Sequence, residues 1–175
     1  MPAIDMNIEK WSISRKLAVV MPIVIIIGVF LPWYSMSYEV TTHGYTQRTL
    51  IIEKGTEYTE AMSIIFASLF ALFFLVLGYE VALNMPSNRL RINEILAIMF
   101  GFLVFVNTLI IANEISEDMA QKRAQIQGLA TISGGVGYGL YICIIGAFLL
   151  MLFSFLSWKE KTMPEEESRE DAVED

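Results

Sequence analysis

FLPWYSMSYEVTTHGYTQRTLII, residues 30–52, decides how this chain is organised. It leaves an apolar run through Pro32-Trp33-Tyr34 and passes without a linker into strict alternation. Tyr34, Met36, Tyr38 and Val40 face one way and Ser35, Ser37, Glu39 and Thr41 the other, the period of two that marks a strand. His43-Gly44 then offers a two-residue turn, with glycine supplying the positive φ that primed turns need. A hairpin closed there pairs residues whose numbers sum to 87, so Glu39 faces Arg48, Tyr38 faces Thr49 and Met36 faces Ile51. An opposite-charge pair and two mostly apolar pairs line up across the strands, which is what stabilises a sheet. Residues 53–56 read as a second turn and 56–59 as a short third strand. A lone hairpin is marginal in water, so this one must lean on helices, on another loop or on a partner chain.

The apolar run that precedes the hairpin is one of four. Of 175 residues, 55% are hydrophobic and the mean hydropathy is +0.54, above the ~45–50% apolar usage of soluble domains. Residues 17–38, 61–79, 95–113 and 124–158 carry no charged side chain. Each can supply the ~20 residues a helix needs to cross ~30 Å of hydrocarbon. The expected fold is therefore an all-α integral membrane protein, a four-transmembrane-helix bundle with a small extracellular β-hairpin between helices 1 and 2. The spans fall at 17–34, 62–83, 95–112 and 136–158, with external loops at 35–61 and 113–135. A cytoplasmic segment, 1–16, precedes them and an acidic, disordered cytoplasmic tail, 159–175, follows. The first span reads as an uncleaved anchor, since its apolar core is longer than the ~7–15 residues of a signal core. Pro22 falls in its first turns, and Trp33, Tyr34, Tyr138 and Trp158 fall near span ends, where amphipathic rings prefer the headgroup layer.

Net charge is −7, and its placement matters more than its size. With both termini inside, Lys10, Arg15, Lys16, Arg89, Arg91, Lys159, Lys161 and Arg169 are cytoplasmic, 8 of the 12 basic residues. The positive-inside rule then gives an integral protein of the cell or plasma membrane, N-in and C-in.

Lipid removes the hydrophobic drive between helices, so close packing must hold them together. Small residues recur every four positions: Ser63, Ala67 and Ala71, then Ala97 and Gly101, then Gly135, Gly139, Cys143 and Ala147. Asn107 and Thr108 are the most polar groups deep in any span and read as interhelical hydrogen-bonding residues. Residues 113–135 predict a separate external helix with Ser116 as N-cap. Glu80 and Glu94 sit at cytoplasmic ends, within reach of Arg89 and Arg91 across a tight connection at 84–93.

Chemistry is sparse. His43 is the single histidine, and no zinc spacing, nucleophile elbow or phosphate motif occurs, so no cofactor and no catalysis are expected. Scattered basic residues leave no nucleic-acid footprint. No ionisable group lies near a midplane, which argues against a proton-coupled carrier. The layout, a strand-forming first external loop and a shorter second, resembles the claudin-type tetraspan arrangement in architecture alone. That family's Gly-Leu-Trp and paired first-loop cysteines are absent, and no function is carried over. The expected function is that of a non-catalytic accessory subunit or protein-interaction scaffold. Its partners are the lipid bilayer and other membrane subunits or a second copy, contacted through Tyr38, Glu39, His43 and Arg48. The alternative is an oligomeric pore or carrier for a small apolar or lipid-like molecule, lined by Asn107, Thr108 and Cys143. A membrane enzyme would need His43, Glu39 and Glu57 to converge.

Overall fold

A computed structural model describes residues 11–42, 45–76, 92–126 and 131–170. Along the chain come α1 (Ile13–Val29), β1 (Pro32–Thr42), β2 (Tyr45–Lys54), a 3-10 turn at Gly55–Glu57, α2 (Ala61–Val76), α3 (Ile92–Ile126), β3 (Thr131–Val136) and α4 (Tyr138–Glu170).

The four-span all-α bundle is overturned on two counts. A three-stranded antiparallel sheet of order β2-β1-β3 is part of the fold. Among the described residues, only two helices are long and apolar enough to cross a membrane, Ile92–Gln125 and Tyr138–Glu160. The reasons are local. α1 has 17 residues and gives way to a strand at Pro32, and α2 has 16 described residues, both short of the ~20 that a span requires. The fourth apolar run is split, 124–126 closing α3, Thr131–Val136 forming β3 and the part from Tyr138 onward lying in α4. The proposed end of the second span at 77–83, Glu80, Arg89, Arg91 and most of the connection at 84–93 lie outside the described residues, as does His43.

The hairpin has the register that its sequence dictates, Glu39 opposite Arg48, Tyr38 opposite Thr49 and Met36 opposite Ile51. The third strand comes from elsewhere. Residues 55–57 wind into the 3-10 turn, and the strand completing the sheet is Thr131–Val136, which pairs with the other edge of β1 from Glu39↔Thr131 to Tyr34↔Val136. The pairing of β1 and β2 slips between Pro32 and Tyr34. Such a bulge re-aims a side chain. Here Trp33 is fully buried and its Nε1 donates to the Gly28 carbonyl at the end of α1, 3.0 Å away. Trp33 is thus a core residue at the joint of helix and sheet, not an indole in the headgroup layer. Gly55 sits against it so closely that a Cβ there would lie 2.4 Å from the ring.

The helices form a ring in which α1 packs on α2 and α4, and α3 likewise packs on α2 and α4. Neighbours run antiparallel. Gly28 faces Cys143 while Ser14 Oγ bonds Glu160 Oε1 at 2.6 Å, and Phe70 and Phe74 stack on Phe100 while Asn107 reaches Ser63. α1 starts at Ser12, whose hydroxyl accepts from the Arg15 N–H. Pro22 lies in the interior of α1, not in its first turns, and is buried.

α3 runs without a break for 35 residues, roughly 50 Å at 1.5 Å per residue. The separate external helix is therefore absent. Ser116 is not an N-cap, because its hydroxyl turns back to the Ala112 carbonyl at 2.8 Å, and Asn113 bonds Glu117 one turn on. The polar last third of α3 carries the sheet: Ile115 and Met119 are buried, and Arg123 Nη2 donates to Gly134 O at 3.0 Å. α4 continues past 158 to Glu170, through the region that composition marks as a tail.

Candidate functional site

Two polar sites stand out from this apolar framework, one at each end. At the sheet end, the inner face of β1 presents Tyr34, Met36 and Tyr38 towards the helices. Tyr34 Oη donates to Met36 Sδ at 3.0 Å, and Lys122 Nζ on α3 lies 3.5 Å from the same hydroxyl and 5.4 Å over the ring. Asp118, one turn before, pairs with Lys122 at 2.7 Å. Beside this cluster Tyr58 donates to Glu53 Oε2 at 3.0 Å and its ring meets Trp33 at 5.6 Å. Burial raises the Tyr34 hydroxyl above the ordinary tyrosine value, opposed by Lys122. Burial, reinforced by the hydrogen bond to Glu53, raises Tyr58 as well. Both phenols are held neutral, and they fasten the sheet to α3 and to the start of α2.

The outer face is different. Ser35, Ser37, Ser133, Gly134, Arg48 and Leu50 line a shallow groove of about 190 Å³, with Ser37 and Ser133 hydroxyls 3.0 Å apart. Arg48 and Glu39, opposite one another in the register, are both exposed. Tyr38 is half-buried against the core, so among the described residues expected to meet a partner, Glu39 and Arg48 are the ones presented outward. Glu39 and Glu57 are both exposed, and His43 lies outside the described residues.

At the other end, Arg15 and Glu94 are 3% and 1% exposed and pair at 3.5 Å between α1 and α3. Arg15 Nη2 also donates to Leu75 O at the end of α2, 2.6 Å away, and its guanidinium lies 4.9 Å over the Trp11 ring. One arginine thus ties three helices together. Sequence spacing assigned Glu94 to Arg89 or Arg91 instead. A pair separated by 79 positions leaves no local pattern, and the one available hint was an arginine at the edge of an apolar run.

The small residues are distributed as follows. Ala67, Ala71, Ala97, Cys143 and Ala147 are buried in the core, and added Cβ atoms at Gly101 and Gly139 would lie 2.9 Å from Met151 and 2.8 Å from the Gly28 carbonyl. Gly135 belongs to β3, not to a helix, and a Cβ added there would meet nothing within 4 Å. Ser63 is exposed and donates to Glu60 O. Asn107 Nδ2 reaches Ser63 Oγ at 3.4 Å, Thr108 bonds back to Val104 and Phe105 of its own helix, and Cys143 Sγ contacts Ile25 O on α1. Asn107 and Cys143 thus look towards different helices, α2 and α1.

The chain matches no protein-family model and no curated protein.

Proposed function

We propose that the chain is a non-catalytic accessory subunit or interaction scaffold, anchored in a membrane by α3 and α4, whose sheet docks another protein or a second copy. Support for the anchor comes from burial. Only 28% and 39% of the most apolar stretch of these two helices is buried within the chain, whereas a soluble core helix is enclosed on most sides. Phe102, Leu103, Phe148 and Phe155 instead point outward. Lys16 and Lys159, at the end where Ser14 meets Glu160, support placing that end in the cytoplasm and the sheet outside, in the cell or plasma membrane.

The observation that carries the docking role is β2. It is an edge strand of ten residues that leaves Tyr45, Leu50 and Ile52 exposed by 84%, 61% and 50%. A sheet edge with outward apolar side chains is a template for another chain. A photo-crosslinking residue at Leu50 should give a discrete heavier species in native membranes, weakened by Arg48→Glu. A chain that stays monomeric and uncrosslinked would overturn the docking role.

A further inference from the structure

The outer face of the sheet is uneven in height. Residues directly opposite one another share a face. Leu50 and Ile52, both half or more exposed, therefore make a ridge along β2 on the outer side. At the same two levels β1 and β3 carry only Ser37 and Ser133, then Ser35 and Gly135. A Cβ added at Gly135 would meet nothing within 4 Å. These small residues form a low shelf beside the ridge, and the groove of about 190 Å³ lies on it, bordered by Arg48 and Leu50.

Charge is split across the same face. Glu39 on β1 and Arg48 on β2 stand opposite in register and are both exposed. Among the described residues they form no ion pair with each other. The face thus holds a ridge beside a shelf and a cation beside an anion, both halves of two contacts. Such a surface is complementary to itself under a two-fold rotation. An axis along the strands, between β1 and β2, lays β2 of each copy on β1 of the other and keeps every residue at its own level. Arg48 then meets Glu39 of the second copy, Leu50 meets Ser37 and Ile52 meets Ser35, each contact occurring twice. β1 follows directly on α1 and β3 leads directly into α4. Rotation about the strands therefore leaves the helices of both copies at the same end, as one shared membrane requires.

We propose that the outer face binds a second copy of this chain, sheet on sheet, with Arg48–Glu39 pairs exchanged between the copies and Leu50 of each seated on the serine shelf of the other. This rests on the docking role proposed for β2 and names its occupant. Anchoring in one membrane holds the two faces at a raised effective concentration, so a small contact suffices. A Leu50 crosslink to a different protein alone would leave the docking role standing and remove the second copy as occupant, whereas no crosslink of any kind would remove both.

Two differently tagged full chains are co-expressed in one membrane and recovered through one tag. Unaltered chains should co-purify. Arg48→Glu in both chains leaves two acids on each face and should cut recovery roughly tenfold or more, as should Glu39→Arg in both, which leaves two bases. An Arg48→Glu chain paired with a Glu39→Arg chain should restore recovery, because each acid again meets a base; that rescue also shows that both variants fold. In native membranes, oxidation should join Leu50→Cys on one chain to Ser37→Cys on the other and should not join Gln47→Cys, on the opposite face, to Ser37→Cys. Equal recovery by every combination, or no disulfide between the Leu50→Cys and Ser37→Cys chains, would overturn the proposal.

Discussion

Arg15 shows what one side chain does in a setting with little water. A buried charge must be paired, and removing one partner strands the other at a cost of ~3–5 kcal/mol, while replacing both with apolar groups is often close to neutral. Glu94→Gln should therefore destabilise the chain by about that amount in denaturant titrations, and Arg15→Met combined with Glu94→Leu should recover much of it. A double variant as unstable as the sum of the two single changes would mean that the pair is not coupled. The phenols of Tyr34 and Tyr58 give a second test at this scale. Both are raised above the ordinary value of 10.0, so the folded state favours their neutral forms. Their contribution is fully present below about pH 10 and is lost as pH rises through the raised values. Absorbance titration at alkaline pH should show a late-titrating phenolate class whose appearance coincides with loss of sheet structure. Tyrosines that all ionise together in the ordinary range, with the sheet intact, would contradict it.

At the scale of elements, the hairpin was legible because its instructions are local: a period of two, a Gly at the turn and a charge pair in register. β3 was not. TISGGV has little strand propensity, and it earns its place through distant partners, β1 on one side and Arg123 on the other. Gly134 makes this possible. Its φ of +137° is a conformation that L side chains rarely adopt, and a Cβ there would lie 2.1 Å from Ser35 O. Gly134→Ala should open the β1–β3 pairing and leave β1–β2 intact, read as fast amide exchange at residues 131–136 with slow exchange retained in residues 45–54. Equal protection throughout would refute the division. The Ser116-Glu117-Asp118 signal misled for a related reason. Cap residues tolerate a helix interior when the hydroxyl bonds the preceding turn, as Ser116 does, and no Gly or Pro interrupts the chain between Gly101 and Ile126. Apolar run length also misled, since it records greasiness and not where a helix stops. Pro32 and the alternation after it end α1 at Val29, however apolar the neighbouring residues are.

For the whole molecule, the sheet, the polar third of α3 and the 3-10 turn form one head, and the helices behind it turn apolar side chains outward. Charge and polarity thus divide the molecule along its length: the head carries Glu39, Arg48, Glu53, Asp118 and Lys122, and the described part of α3 and α4 between Ile95 and Trp158 shows only apolar and small polar groups until α3 reaches the head. Lipid around the helices and water around the sheet are the solvents that such a division fits. Spin labels at Phe102→Cys and Phe148→Cys, with buried Cys143 left in place, report that environment directly when their collision rates with oxygen and with a water-soluble nickel chelate are compared in reconstituted vesicles. High oxygen and low nickel accessibility at both positions, with the reverse at Leu50→Cys on the sheet, is the expected result; nickel accessibility at Phe102 and Phe148 equal to that at Leu50 would contradict a membrane-embedded pair of helices.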